Sequence, residues 1–156
     1  MNAELITSLG KIGSAGALAL AAIGSAAGTG IAAMAAVGAW KKCYAQNKAA
    51  PFMLVAFIGA PLSQTIYGMI LCNNIVAATK AGVQFPALIA AGVFGGIAMG
   101  VSAYMQGKAG AGCSVALAET GKGFGNYLMA IGVVETVAIF VLVFMFNVTK
   151  VAVAGA

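Results

Sequence analysis

Charged and metal-binding side chains are scarce in this 156-residue chain. It has no histidine, and charged residues make up only 7% of it, against roughly 25% in soluble domains. We therefore do not expect water to be its main solvent. The three cysteines, Cys43, Cys72 and Cys113, have neither pairing nor metal-ligand spacing, so we predict free, packed thiols and no zinc site.

Arginine is also absent, so all eight cationic residues are lysines. Lysine lacks the planar fork with which a guanidinium binds phosphate, which argues against a nucleic-acid partner. The sequence contains no P-loop and no stretch polar enough for a nucleotide-binding domain. We therefore expect no ATP chemistry and no resident cofactor, and we interpret the lysines as anchors at membrane edges.

What the chain does have is four apolar runs long enough to cross a hydrocarbon core of roughly 30 Å. The first begins after Glu4 and Lys11 and is too long for the apolar part of a signal peptide, so it is predicted to be a retained span. Trp40 marks its end as an interfacial residue, and Pro51 and Pro86 stand at first-turn positions of the second and third helices. The predicted transmembrane helices cover about 12–40, 51–78, 86–118 and 127–148.

The four runs pair into two hairpins of similar pattern, residues 1–80 and 81–156. In each hairpin the first helix is dense in small residues, and the second carries bulky aliphatic and aromatic ones. Leu62 of the first hairpin can be laid on Glu135 of the second, so the duplication leaves one carboxylate for two hairpins. A polar loop at 119–126 is predicted to join the last two helices.

Glycines recur at every fourth position in the first and third helices, at Gly24 and Gly28 and again at Gly92, Gly96 and Gly100. Such a stripe has no side chains to hold neighbouring backbones apart, so many helices can pack tightly in one circle. We predict an all-α integral membrane protein. Its four transmembrane helices, arranged as two duplicated hairpins, are expected to assemble into an oligomeric ring of identical subunits in the lipid bilayer.

The distribution of lysines predicts an orientation. Lysines in the two tight loops barely outnumber those at the other membrane edge, which by the positive-inside rule places both loops in the cytoplasm and both termini outside. The loop lysines are Lys41, Lys42, Lys48 and Lys122, and those on the other side are Lys11, Lys80 and Lys150.

Glu135 is the one acid inside an apolar run, because Glu4 and Glu119 lie outside or between the spans. At 1.5 Å per residue it is roughly 12 Å from one end of its helix and roughly 20 Å from the other, too deep to reach water. An ionised carboxylate at that depth costs about 2.5 to 3.5 kcal/mol, so it must be protonated, paired or bound to a cation. A protonated Glu135 that only joins two helices by a hydrogen bond is the alternative.

Other oxygen-bearing side chains fall at the depth of Glu135. Ser63, Gln64 and Tyr67 are three and four residues apart and so share one side of the second helix, and Gln106 lies in the third. Alone, each glutamine is as well explained by interhelical hydrogen bonding and the tyrosine by packing. Together they predict a cation site, in which Tyr67 donates its hydroxyl proton to the carboxylate and holds the site closed.

Pro61 adds a backbone ligand to this site. It has no N–H, so the carbonyl of Phe57 loses its helical partner and the helix should open just before Ser63. A carbonyl near Ala60 then becomes available as a ligand. An all-oxygen set suits a hard cation such as Na⁺, whereas a proton site needs far fewer oxygens. Lys108 falls on another face of its helix and is assigned no ligand role.

Over essentially its whole length the chain resembles the proteolipid (K or c) subunit of bacterial rotary V-type (V/A-type) sodium-translocating ATPases, in the double-hairpin form. The resemblance rests on the segments PLSQTIYG at 61–68, QGK at 106–108 and VET at 134–136. It implies that Na⁺ is bound by Ser63, Gln64, Gln106, Glu135 and the backbone carbonyl of Ala60, with Tyr67 locking the site and Pro61 opening the helix. Ser63 stands where such relatives often have threonine, which keeps the hydroxyl.

The resemblance also implies partners and a mechanism. The ring of identical subunits would rotate against a membrane stator subunit, whose buried Arg meets each Glu135 in turn as Na⁺, or H⁺, enters and leaves. Central-stalk subunits would attach at the cytoplasmic loops, and ATP chemistry would take place on other subunits. The chain itself is then a non-catalytic subunit of the bacterial inner membrane, and the transported ion is its cargo rather than a cofactor.

Two readings from other classes remain open at this stage. One is a small cation-coupled exporter that uses a membrane Glu to exchange protons for a lipophilic cation, although such a protein needs a substrate cavity that the Gly and Ala crowding leaves little room for. The other is a purely structural proteolipid in which Glu135 is incidental. Labelling of Glu135 by a hydrophobic carbodiimide, with and without Na⁺, discriminates between these readings.

Overall fold

The chain is all helical over the residues that the computed structural model describes, 3–151, with side chains for 4–150. Within these limits no strand is formed. The elements are α1 (Ala3–Ala45), α2 (Leu54–Gly59), a 3₁₀ turn (Ala60–Leu62), α3 (Ser63–Lys80), α4 (Phe85–Thr120) and α5 (Phe124–Val151).

Among the described residues, four segments are long and apolar enough to cross a membrane: Glu4–Ala45, Leu54–Lys80, Phe85–Thr120 and Phe124–Lys150. The prediction of an all-α protein with four transmembrane helices is confirmed, and these helices indicate a multi-pass membrane protein. The free state of the three cysteines is confirmed as well.

α1 is longer at both ends than the predicted 12–40. Lysines mark where a helix leaves the hydrocarbon, but they are good helix formers and do not end it. The helix ends at Ala45, where Asn47 takes a left-handed conformation with φ of 51°. The N–H of Lys48 then donates to the carbonyl of Cys43 at 2.9 Å, which satisfies a helix-end carbonyl.

The second span consists of two helices in line rather than one. It starts at Leu54 and not at Pro51 as predicted, because the backbone hydrogen bonds that follow Pro51 join residues three apart and form a turn. The Pro51 carbonyl also accepts the indole N–H of Trp40 at 2.8 Å. At Pro61 the α-helical pattern changes to the 3₁₀ turn, and the N–H of Ser63 closes that turn. A local change of helix geometry therefore precedes α3 directly.

The connection between α4 and α5 is shorter than the predicted 119–126. Gly121 takes a left-handed conformation with φ of 66°, and α5 already begins at Phe124. The Phe124 ring packs on that of Phe57, with 5.5 Å between centroids. This apolar contact favours an ordered start of α5. Packing therefore extends the last helix beyond the predicted 127–148.

α1 and α4 lie side by side, parallel, with their backbones in contact. A Cβ added at Gly92 would collide with the carbonyl oxygen of Gly13, and one added at Gly107 would collide with that of Gly28. The small-residue stripes therefore lie where the two odd-numbered spans meet, as close approach of helices requires.

α3 and α5 form a second layer on one side of α1 and α4. α3 packs against α1 and α4, and α5 packs against α4 and α3. The apolar core between the layers has one cluster around Leu71 and Met99 and another around Leu54 and Phe57. The polar residues predicted to form the cation site lie on the segments of α3, α4 and α5 between these two clusters.

Candidate ion-binding site

The site starts where the 3₁₀ turn ends. Ser63 is the first residue of α3, and its Oγ lies 3.1 Å from the carbonyl oxygen of Ala60 and 3.1 Å from Oε1 of Gln64. A hydroxyl has one hydrogen, so these two acceptors share it. The Pro61 turn thus brings a backbone oxygen, a hydroxyl oxygen and an amide oxygen together.

Two hydrogen-bonded glutamines connect the α3 part of the site to the α4 part. Gln64 and Gln106 are both fully buried, with no exposed surface. Nε2 of Gln64 donates to Oε1 of Gln106 at 2.8 Å, and Nε2 of Gln106 lies 3.3 Å from the carbonyl of Ile131 on α5. Buried amides are costly unless they are hydrogen-bonded, so this pairing fixes both side chains.

Glu135 receives a donor on each carboxylate oxygen. The hydroxyl of Tyr67 donates to Oε1 at 2.7 Å, and Nε2 of Gln106 lies 3.3 Å from Oε2. The Tyr67 bond is short and the Gln106 bond is long. Oε2 is therefore the more weakly held oxygen, and its donor is Gln106.

The structure brings all the sequence-predicted site residues into one continuous hydrogen-bonded chain. The members are the carbonyl of Ala60 and the side chains of Ser63, Gln64, Gln106, Glu135 and Tyr67. They come from α3, α4, α5 and the 3₁₀ turn. No single helix holds the set, so the packing of both hairpins creates it.

The electrostatics of the site are those of one acid among neutral oxygens. The salt bridge found in the described part of the chain joins Lys42 and Glu119 at the loop end, at 2.6 Å, and leaves Glu135 without a lysine partner there. Across residues 3–151 no three His, Cys, Asp or Glu side chains cluster as a metal site would require. One carboxylate with hydroxyl, amide and carbonyl oxygens suits a monovalent hard cation or a proton.

Lys108 lies away from this chain of groups. Its Nζ is 5.6 Å from the centroid of the Tyr104 ring. Tyr104 lines a groove on the surface of α1 and α4. Gln106, two residues earlier, points instead toward α3 and α5.

Sequence reasoning missed two contributors to the site. Ser102 is buried, and its Oγ donates to the carbonyl of Val134 at 3.1 Å, next to Glu135 in α5. The carbonyl of Ile131 receives the amide of Gln106. Ser102 precedes Gln106 by four residues, so both lie on one face of α4. This spacing is the sequence pattern from which Ser102 could have been predicted to belong to the site. Ile131 contributes only its backbone carbonyl, so its side chain could not have predicted this contact.

The fold and the site together define a class: a small multi-pass helical membrane protein with one carboxylate held among neutral oxygen donors. Within that class, residues 89–147 match the model of the ATP synthase C-subunit family. Members of that family are ion-translocating rotor subunits that form rings in the membrane. The match covers somewhat over a third of the chain, including most of α4 and α5 with Gln106 and Glu135. No curated protein matches the sequence.

Proposed function

We propose that the chain is the ion-translocating rotor subunit of a V-type rotary ATPase, and that Glu135 binds and releases Na⁺ as a ring of such subunits turns. The observation that carries the proposal is the geometry at Glu135. Tyr67 holds one carboxylate oxygen at 2.7 Å, and the other accepts from Gln106, whose own Oε1 accepts from Gln64. The family match of the second hairpin supports the rotor role.

Five oxygens favour Na⁺ over a proton as the passenger. They belong to the Ala60 carbonyl, the Ser63 hydroxyl, the two glutamine amides and Glu135. A proton needs one carboxylate oxygen, whereas a hard cation of this kind takes several oxygen ligands. A cation among these groups would replace the hydrogen bonds from Ser63 to Gln64 and from Gln64 to Gln106, and the two acceptor oxygens would then turn toward the ion.

The charge of Glu135 with and without its ion would couple rotation of the ring to ion transport. With an ion bound, Glu135 and its cargo are together neutral, and they can face lipid at low cost. Without the ion the carboxylate is an anion in hydrocarbon, which is costly until it meets a cation. A stator subunit with a buried arginine would supply that cation, and Glu135 would leave it only on taking up another Na⁺. The chain itself would perform no ATP chemistry.

The surroundings of the rotor belong to the same proposal. The loop lysines favour a cytoplasmic position for both interhelical loops and an outer position for both termini. In the proposal the membrane is the inner membrane of a bacterial cell, and central-stalk subunits attach at the cytoplasmic loops. α1 and α4 are the narrower helices, so they suit the inside of a ring, while α3 and α5 with Glu135 suit the outside, within reach of a stator.

A hydrophobic carbodiimide tests the ion site because it reacts with a protonated carboxyl group in the membrane. We expect labelling of Glu135 that Na⁺ suppresses at fixed pH, and we expect more Na⁺ to be needed at lower pH, since protons compete for the same oxygen. Glu135→Gln should abolish labelling, and the loop variant Glu119→Gln should leave it unchanged. Equal labelling with and without Na⁺ would rule out the sodium site.

A transport assay tests the rotor role separately. In the assembled ATPase, Glu135→Gln should stop ATP-driven Na⁺ uptake into vesicles, whereas Glu119→Gln should retain it. Intact transport by Glu135→Gln would contradict the whole mechanism.

A further inference from the structure

A second polar contact joins α3 and α5 near the C-terminal ends of both helices. The hydroxyl of Thr149 lies 2.7 Å from Oδ1 of Asn74 and 2.9 Å from the carbonyl oxygen of Phe146, in its own helix. One hydroxyl hydrogen cannot satisfy both acceptors, but asparagine can present either end of its amide. With Nδ2 of Asn74 toward Thr149, both hydrogen bonds form at once. The pair is thus a specific contact between the two helices.

Thr149 lies on the same buried face of α5 as Glu135. Ile131, Ala138 and Leu142 are buried along this face. Glu135 follows Ile131 by four residues, and Thr149, which is only 2% exposed, follows Leu142 by seven. Spacings of three, four and seven residues keep side chains on one side of a helix. Glu135 and Thr149 are therefore polar members of one contact face.

Each of these two polar groups bonds to α3. Glu135 accepts the Tyr67 hydroxyl at 2.7 Å, and Thr149 contacts Asn74 at the same distance. The two contacts are fourteen residues apart along α5, which is roughly 21 Å of helix. Under the proposed function the first would open when Glu135 turns to a stator arginine. The second contains no group of the ion site and can stay closed throughout.

Apolar packing fills the space between the two contacts. Leu142 of α5 packs in the cluster that contains Leu71 of α3 and Met99 of α4. Lipid covers an apolar surface as well as another helix does, so such packing alone resists sliding and rotation of α5 only weakly. A hydrogen bond, in contrast, requires about 3 Å and a favourable angle. The contact at Thr149 therefore restrains α5 in a way that the apolar face does not.

We infer that Asn74 and Thr149 set the height and rotation of α5 on α3, and so position Glu135 against Tyr67 and Gln106. They are positioning residues that do not touch the ion. The inference rests on the proposed ion site, because its effect is measured there. It adds that α5 has a fixed anchor away from the carboxylate, about which the middle of the helix can move when Glu135 releases its ion.

Carbodiimide labelling of Glu135 at a series of Na⁺ concentrations tests the anchor. Thr149→Val removes the hydroxyl and keeps the shape of the side chain, and Asn74→Leu removes the partner of that hydroxyl. Each should raise the Na⁺ concentration that half-protects Glu135 by about two- to tenfold, the effect of roughly one net hydrogen bond. The double variant should shift it no further, because both changes break one contact. Thr149→Ser should keep the wild-type value, since it retains the hydroxyl.

Asn73→Leu is the matched control, because Asn73 is the exposed neighbour of Asn74 on the same helix. It should leave the half-protecting concentration unchanged. An unshifted value in Thr149→Val, even with a lower unfolding temperature, would overturn the inference, as would an equal shift in Thr149→Ser or Asn73→Leu. If Na⁺ fails to protect the wild-type protein, the sodium site itself falls and this inference with it. Protection of the wild type with unshifted variants would overturn this inference alone.

Discussion

At the scale of the residue, the two oxygens of Glu135 have different surroundings. Oε1 holds the short bond from Tyr67, and Oε2 holds the longer one from Gln106. An arriving cation would displace the weaker donor first. Tyr67 can then remain in place while Gln106 turns its amide oxygen to the ion. Under the proposed function, the Tyr67 hydroxyl would stay bonded to the carboxylate while the Gln106 amide changes its partner.

Gln106→Leu tests that assignment. The change would remove a proposed oxygen ligand, and it leaves the Nε2 of Gln64, fully buried, without its acceptor. A lost buried partner costs about 1 to 3 kcal/mol, so the Na⁺ concentration that half-protects Glu135 from carbodiimide should rise by about 5- to 150-fold. Gln46→Leu, at an exposed glutamine of the loop, should leave the midpoint unchanged. An unaltered midpoint in Gln106→Leu would remove Gln106 from the ligand set.

Ser102 is expected to position the site without touching the ion. Its hydroxyl ties α4 to the carbonyl of Val134, beside Glu135. Loss of one net hydrogen bond in Ser102→Ala should shift the Na⁺ protection midpoint by about two- to tenfold. The comparison is Ser114→Ala, because Ser114 is equally buried in α4 but bonds to Gly110 of its own helix. If both variants shift the midpoint alike, the effect is general to α4 and Ser102 has no special position.

At the scale of the element, glycines decide how closely the helices approach. Gly107 faces the carbonyl of Gly28, with no room for a Cβ, whereas Gly112, on the same helix, has nothing within 4 Å of that position. Helix–helix association in a bilayer depends on such contacts because lipid supplies no hydrophobic drive between helices. Glycine is therefore required for close helix packing at position 107 but not at position 112 of the same helix.

Gly107→Ala should force α1 and α4 apart and lower the unfolding temperature of the purified protein by several degrees. Gly112→Ala should leave it unchanged or raise it slightly, since alanine is favoured over glycine in an open helical position by up to about 1 kcal/mol. Both temperatures can be measured by the loss of helical circular dichroism on heating. A Gly107→Ala protein as stable as Gly112→Ala would mean that the α1–α4 contact relaxes easily.

At the scale of the whole molecule, the two layers differ in how their helices meet. The glycine backbones of α1 and α4 are in contact, and large apolar side chains are exposed on both layers, such as Phe94 on α4 and Phe140 on α5. In the proposed ring the closely packed α1–α4 layer would lie inside. Exposed apolar surface on a protomer can be covered by lipid or by neighbouring copies.

The ring makes a prediction about mass. The protomer has a mass of 15.4 kDa, and the detergent-solubilised particle should be a large integral multiple of that value by light scattering with the detergent subtracted. Glu135→Gln should give the same multiple, since the acid is not needed for backbone packing. A wild-type particle that runs as a clean monomer or dimer would contradict the ring.

The sequence was a good guide to what crosses the membrane and a poorer guide to where helices end. The four apolar runs were recognisable because hydrocarbon excludes charge over a fixed length. Lysines at the edges of α1 did not end it, since they favour helix, and Pro51 did not open α2, since residues 51–53 form a turn whose backbone hydrogen bonds join residues three apart. Phe124 joined α5 through contact with Phe57, which is distant in the chain.

By itself, the sequence determined that a single acid, Glu135, lies deep in an apolar helix with Ser63, Gln64, Tyr67 and Gln106 at a similar depth. Helical periodicity and the cost of charge in hydrocarbon are sufficient for that. Only the tertiary structure decided that these groups touch, that Tyr67 and Gln106 take different oxygens of the carboxylate, and that Ser102 and the Ile131 carbonyl join them. The physical reason is that hydrogen bonds act over about 3 Å between helices, and their relative height and rotation are set by packing, which no single helix encodes.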